Sequence, residues 1–270
     1  MEDRLGPHSP RKLGAVSASP TKLGGQEYQG WEGIPGVGAH RGQTVWSMAA
    51  LVHLVQHAEV DNPDHLVCGS MPGFDLSTYG LEQARRAGRY LGPRAVVAIW
   101  SSPSQRALRT AEEIAARSGV PVRVHPDLAD WSLMERWKGH PWGSISSLFP
   151  GELEAYLQHP ESLDFVDEQL DGLASRVARV ARMLDADHPH GDVIIVSHQD
   201  AIQAARLALT GSPLATLHDG RPTDGSVLTL RPGPAWRVET SWEPGEGPRF
   251  GERSELRVVS GVGPQGPAPA

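Results

Sequence analysis

"LVHLVQHAEV", residues 51–60, is an apolar run that stops abruptly on a polar Gln56-His57 pair. A run this short with no polar alternation predicts a buried strand over Ala50–Val55. "DVIIVSH", residues 192–198, repeats the pattern: a buried strand bounded by Gly191-Asp192 and ending on His198. In open parallel sheets ligands bind beyond the carboxyl ends of strands, so both histidines are placed where a ligand would sit. Two histidines at one sheet edge invite a shared role.

The segments around these strands alternate between strand and helix patterns. Ser77–Leu91 (STYGLEQARRAGRYL) carries helically spaced apolar residues behind a Ser/Thr start. "AVVAIW" (95–100) is a second buried strand, and Ser102-Pro103 supply an N-cap and a first-position proline for a helix. Ala107, Leu108, Ala111, Ile114 and Ala115 form the apolar face of that helix, and Gly119 closes it. "VPVRVH" (120–125) reads as a short strand, Leu163–Leu184 as a long amphipathic helix, and Asp200–Leu209 as another helix. "SVLTLR" (226–231) and "AWRVETSW" (235–242) close the series as late strands. Such alternation predicts an α/β fold, a three-layer sandwich with a largely parallel central sheet.

Composition bounds the rest. With 270 residues, 39% of them hydrophobic, the chain has material for one substantial core. Residues 1–47 are rich in Gly, Pro and Ser and lack any period, so they are expected to be a disordered extension. Residues 243–270 read as a flexible Pro/Gly-rich tail in which "LRVVS" is a marginal strand. The folded unit is therefore expected over 48–242, opening at Met48. A net charge of -7 without a Lys/Arg run argues against nucleic acid as a partner. Apolar runs are too short to span a bilayer and no secretory segment is evident, so no membrane partner and a cytoplasmic location are expected. Cys68, the single cysteine, permits no intrachain disulfide and fits a reducing compartment. The sequence leaves the oligomeric state open.

Several side chains invite chemistry. In "SSPSQRALRT" (101–110), Arg106 lies in the first helical turn, where the helix dipole disfavours a cation, so an anion such as phosphate would make its position sensible. Arg109 has a plainer reading as a partner of Glu112 and Glu113. His53 and His57 stand four apart, a spacing that suits a metal on a helix, but their strand context and the lack of a third ligand speak against zinc. His188 and His190 read as loop residues, and Trp131, Trp137 and Trp142 as either core packing or a wall over a pocket.

Taken together, the motifs resemble the histidine phosphatase superfamily, also called the phosphoglycerate mutase-like family. They are Gln56-His57-Ala58-Glu59, "LSTYGLEQARRAG" (76–88), Ser102-Pro103-Ser104-Gln105-Arg106-Ala107 with Thr110-Ala111-Glu112, and Val196-Ser197-His198, spread across residues 50–240. The resemblance implies a phosphoglycerate mutase-like sandwich acting on a phosphorylated small molecule through a phosphohistidine, without cofactor or metal. His57 is then the nucleophile, and Arg106, with His198 if protonated, holds the phosphate. The family's acidic residue, a glutamate in a Leu-x-Glu context, falls on Asp130 of "DLADWSLMERWKG", with Glu135 as the alternative general acid. A capping role for Asp130 is the competing reading. Gln56 departs from the pattern, since the family places an arginine there to grip phosphate oxygens. The chain is thus expected to be a phosphomonoester hydrolase or a mutase-like enzyme, attenuated by Gln56. A weakened phospholigand-binding or regulatory protein on the same fold is the alternative.

Overall fold

The computed structural model describes residues 51–245 and, ahead of them, a two-residue antiparallel pair, β1 (Lys22–Leu23) with β2 (Gln26–Glu27). That pair apart, the expectations for 1–47, and those for the tail beyond 245 with its "LRVVS" strand, lie outside the described residues.

Six strands form the central sheet: β3 (Val52–Gln56), β4 (Val96–Ser101), β5 (Val122–Val124), β6 (Asp192–Ser197), β7 (Val227–Arg231) and β8 (Arg237–Trp242). Their spatial order is β5-β4-β6-β3-β7-β8. The β5-β4, β4-β6 and β6-β3 pairs are parallel, whereas β3-β7 and β7-β8 are antiparallel. Every residue of β3 and β6 is buried, which is why both read as unbroken apolar runs. Alternation along β3 sends Val52 and Leu54 to one face and Val55 to the other.

Helices cover both faces. Helices α1 (Thr78–Leu91) and α2 (Gln105–Ser118) pack Ala87, Leu91, Ala107, Ala111 and Ile114 onto Val55, Ile99, Ile194 and Val196. On the opposite face, α6 (Leu170–Asp187) and α7 (Gln199–Thr210) pack Leu173, Val177, Ala181, Ile202 and Ala205 against Val52, Leu54, Val193 and Ile195. The result is the three-layer α/β sandwich, with a sheet that is parallel over its central strands.

Three boundaries differ from the sequence reading, each for a local reason. Helix α2 begins at Gln105 with Ser104 as its N-cap residue, two residues later than a Ser102 cap would give. Ser102 is held elsewhere: its backbone N–H donates to the Val196 carbonyl (2.9 Å), and its hydroxyl meets His198 (2.8 Å). Helix α6 starts at Leu170, because Gln169 sits in extended conformation and donates its side-chain amide to the Leu163 carbonyl (2.8 Å), closing a loop. Finally, the connection after β5, read as a loop bearing tryptophans, contains three short helices: α3 (Leu133–Arg136), α4 (Ile145–Leu148) and α5 (Glu152–Gln158). Trp131 and Trp137 are fully buried there against Tyr156, while Trp142 reaches a cavity wall.

Candidate active site

Strand register alone brings the two histidines together. In the parallel β3-β6 pair Gln56 stands opposite Ser197, and the His57 N–H donates to the Ser197 carbonyl (2.9 Å). His57 and His198 are the next residues on neighbouring strands, with ring centroids 5.2 Å apart. Helix α1 fixes the exit of β3. Gln83 accepts the Glu59 N–H (2.9 Å), and Gly80 lies so near that a Cβ there would stand 2.0 Å from the Glu59 carbonyl oxygen. From α2, the Thr110 hydroxyl accepts the Ala58 N–H (3.0 Å) and donates to the Arg106 carbonyl (2.8 Å), tying the histidine segment to the arginine helix.

Hydrogen bonds select the ring tautomers. His57 Nδ1–H donates to the Ala58 carbonyl (3.0 Å), which leaves Nε2 with its lone pair, and that atom accepts from Arg106 Nε (3.2 Å). His198 Nε2–H donates to Ser102 Oγ (2.8 Å), while Nδ1 accepts from Arg106 Nη2 (3.2 Å). The same guanidinium reaches Asp130 Oδ2 (3.2 Å) and the Gly69 carbonyl (3.1 Å), so one buried arginine joins four groups. Gly69 makes its contact at φ +47°, close enough to the Met134 carbonyl and the Glu135 carboxylate that a side chain would collide. Asp130 Oδ2 also lies 3.3 Å from His198 Nδ1, and its Oδ1 accepts the Trp131 N–H (2.9 Å), so it caps the turn and faces the cluster at once.

Electrostatics bears on one condition of the sequence reading, the charge of His198. Burial, with the positive charges of Arg106 and Arg176 nearby, holds the His198 pKa well below the ordinary value of 6.5. His198 therefore stands neutral at pH 7 in the free protein, so the protonation on which its phosphate-holding role was conditioned is not met before a phosphate arrives. Burial, then Arg106, then His198, depress His57 in the same way, which keeps Nε2 unprotonated and nucleophilic.

These shifts have a consequence for stability. His53 in the core is likewise lowered, chiefly by burial. Below pH 6.5 the unfolded chain takes up protons on these three imidazoles that the native state does not, so stability falls as pH falls. Each contributes about 1.4 kcal/mol per pH unit until its own folded pKa is reached. Thermal unfolding between pH 7.5 and 5.5 is expected to show a falling Tm, with a shallower slope in His57→Ala. A flat profile would contradict neutral buried histidines.

A cavity of about 630 Å³ opens over His57, Arg106 and Asp130. A second, of about 1010 Å³, shares Gly69, Arg106 and Asp130 with the first and reaches His198. Of the other candidates, Glu135 lines only the second cavity, where Lys138 (2.6 Å) and Ser70 (2.8 Å) engage its carboxylate. Burial raises its pKa, but those donors outweigh burial and leave the group below the ordinary carboxyl value, a poor setting for a general acid. Arg109 pairs with Glu112 (3.4 Å) and Glu113 (3.4 Å), its plainer reading. His53 is a core residue whose ring nitrogens meet Thr229 (2.9 Å) and Asp192 (3.0 Å).

The family model for the histidine phosphatase superfamily, branch 1, matches residues 52–242, nearly the whole described unit. The chain belongs to this superfamily. The protein Rv0525 of Mycobacterium tuberculosis is 35% identical over 182 residues, covering 66% of this chain and 87% of that one. The glucosyl-3-phosphoglycerate phosphatase of the same organism is 31% identical over 149 residues, 52% of this chain and 66% of that one. Among solved structures, mycobacterial glucosyl-3-phosphoglycerate phosphatase Rv2419c complexed with VO3 superposes with a TM-score of 0.63 at 26% identity, covering 72% and 99% of the two chains. Bacillus stearothermophilus YhfR shares the fold, with a TM-score of 0.65 at 22% identity over 71% and 96% of the chains.

Within this histidine phosphatase framework Gln56 stands apart. The site brings His57, Arg106, Asp130 and His198 together, but the Gln56 amide turns to Asp224 Oδ1 (2.9 Å) and does not line either cavity. Its Oε1 is buried with no donor among the described residues. Sequence reasoning missed the roles of Ser102, Thr110 and Asp224. The first two sit inside motifs already noticed, where a hydroxyl next to the arginine helix was the available signal. Asp224 gave none, because the turn carrying it reaches the site only through the β3-β7 pairing and the Gly225 N–H to His57 carbonyl bond (3.2 Å).

Proposed function

We propose that this histidine phosphatase hydrolyses phosphomonoesters through a phosphohistidine on His57. The observation that carries the proposal is His57 Nε2: unprotonated, fixed by the Nδ1–H to Ala58 bond, and facing a cavity shared with Arg106 and Asp130. In this reading a phosphate group displaces Nε2 from its hydrogen bond to Arg106, and the guanidinium turns to the nonbridging oxygens. His198, held by Ser102, stands beside them and takes up a proton as the dianion arrives, because an adjacent anion favours the charged imidazole. As Arg106 leaves Asp130 Oδ2 for the phosphate, Asp130 takes a proton from solvent. Nε2 attacks phosphorus in line, the P–O bond to the alcohol breaks, and Asp130 delivers that proton to the departing oxygen. Asp130, now a carboxylate, then takes a proton from the water that cleaves the N–P bond. Inorganic phosphate leaves and His57 is regenerated.

Gln56 sets the speed in this proposal. An arginine there would donate a charge-assisted hydrogen bond to phosphate, a difference of about 1.5 to 3 kcal/mol. Because 1.4 kcal/mol is a factor of ten, Gln56→Arg is expected to raise aryl phosphate turnover by roughly tenfold or more. Acid-quench trapping of labelled phosphate on His57, before and after the substitution, tests the whole reading. Label in the wild type supports a working enzyme. Label confined to Gln56→Arg assigns the wild type to the phospholigand-binding alternative, and label in neither removes the phosphohistidine mechanism.

A further inference from the structure

Asp130, the acid of the proposed mechanism, stands on backbone that belongs to no strand or long helix. One 3-10 turn, Pro126–Leu128, leads into irregular chain through Ala129 and Asp130. The successive carbonyls of this segment are bonded instead by side chains from other elements. Arg176 of α6 donates from Nη1 to the Asp127 and Ala129 carbonyls (2.8 Å each) and from Nη2 to the Asp130 carbonyl (2.8 Å). The Leu128 carbonyl between them accepts from Ser197 Oγ (2.8 Å), the residue before His198. Glu168 holds Arg176 in turn, its carboxylate taking Nε (2.6 Å) and Nη2 (3.0 Å) side by side. A guanidinium carries five N–H donors. All of those on Arg176 are engaged in these bonds, and Arg176 does not line the cavity over His57. Its effect on a substrate there is therefore indirect.

The reaction itself makes such a clamp necessary. In the free protein the Asp130 carboxyl is tethered through Oδ2 to Arg106 (3.2 Å) and through Oδ1 to the Trp131 N–H (2.9 Å). When Arg106 turns to the phosphate, the Oδ2 tether is lost at the moment the carboxyl must meet the departing oxygen. The backbone beneath it then has to hold its place. A displacement of about 1 Å at a reacting group can cost roughly a hundredfold in rate.

We propose that Arg176 is a positioning residue for proton transfer: gripped by Glu168, it fixes the 127–130 backbone so that Asp130 stays within reach of the departing oxygen after Arg106 has moved to the phosphate. This rests on the phosphohistidine reading, in which Asp130 is first the acid and then the base. A brace that served stability alone would be indifferent to the leaving group. A clamp on the acid is not, because a poor leaving group depends on the delivered proton more than a good one does.

The test compares two substrates of similar shape, 4-nitrophenyl phosphate and phenyl phosphate, in the wild-type and Gln56→Arg chains. Phenolate is the poorer leaving group. Arg176→Lys keeps a positive charge, one of those that act on His198, but a single ammonium cannot span three carbonyls and Glu168. It is expected to lower kcat/KM for phenyl phosphate by about tenfold or more, and for the nitrophenyl ester by no more than about threefold. Since Asp130 also activates the water, acid-quenched label on His57 should build up during nitrophenyl phosphate turnover. Asp130→Asn should show the same leaving-group dependence by itself. Added to it, Arg176→Lys should cost phenyl phosphate only about twofold more, as two residues acting through one group do. Thermal unfolding checks the fold, and Glu168→Gln, which loosens the fork at unchanged length, repeats the comparison if Arg176→Lys does not fold. Equal losses on the two esters, or losses that add to those of Asp130→Asn, would overturn the proposal and leave Arg176 a stabilising brace. A rise in KM alone would overturn it as well, being the mark of a side chain that holds substrate. Asp130→Asn without leaving-group dependence would remove the acid assignment, and absence of turnover in both backgrounds the hydrolase reading, each taking this proposal with it.

Discussion

Replacing His57 by alanine is expected to lower phosphomonoester turnover by about 10⁴-fold or more and to abolish acid-labile labelling. Methyl cannot replace the attacking nitrogen. The other imidazole at the cluster, His198, does not line the cavity over position 57 and is held through Nε2 on Ser102 (2.8 Å). The fold should survive, because His57 is only partly buried and Arg106 keeps its bonds to Asp130, Gly69 and His198. Thermal unfolding near pH 7.5 checks that point, and a quench-flow assay reads the chemistry. Turnover within tenfold of wild type in a folded His57→Ala chain would mean that hydrolysis here proceeds by direct attack of water.

The parts of this fold that were legible in the sequence are those set by local pattern. Strands β3 and β6 announce themselves because burial on both faces demands unbroken apolar runs, and α1 because Ser77 caps it through its hydroxyl to the Gly80 N–H (2.9 Å). Helix α2 was placed correctly except at its first turn. There the residue that looks like a cap, Ser102, is recruited by a neighbouring strand and by His198, and tertiary bonds outrank propensity. The short helices around Trp137 were illegible for a related reason: α3 and α4 are only four residues each, too short for a period to emerge. Trp137, which ends α3, packs edge-on against Tyr156 of α5 (5.6 Å), a long-range contact that no local pattern announces.

For the candidate site the same division holds. The adjacency of His57 and His198 follows from strand register, which the sequence does not state but which two apolar runs of similar length, each ending on histidine, made a reasonable expectation. The neutral state of His198 was out of reach, because it depends on burial and on the charges of Arg106 and Arg176, contributed by different helices. The orientation of Gln56 toward Asp224 joins residues 168 positions apart, and no single-sequence pattern encodes that.

Arg106→Ala is expected to reduce turnover by about 10² to 10³-fold, the usual effect of removing a preorganised charged donor from a developing oxyanion. It is also the substitution that separates an electrostatic role from a purely architectural one. The Arg106 charge is among the causes that depress both His57 and His198, second only to burial. Its removal should let both imidazoles titrate closer to 6.5, seen as an upward move of their midpoints in a histidine NMR titration and of the acidic limb of the pH-rate profile. Some stability will be lost, on the order of 1 to 3 kcal/mol, because Asp130 Oδ2 and the Gly69 carbonyl lose their donor. Arg106→Lys restores a charge but not the fork that reaches Nε2, Nδ1, Oδ2 and the Gly69 carbonyl together, so the histidine midpoints should return while turnover recovers only in part. If lysine restores neither the midpoints nor any turnover, or if alanine leaves the midpoints where they were, Arg106 serves as a structural strut and the phosphate must be held by other groups.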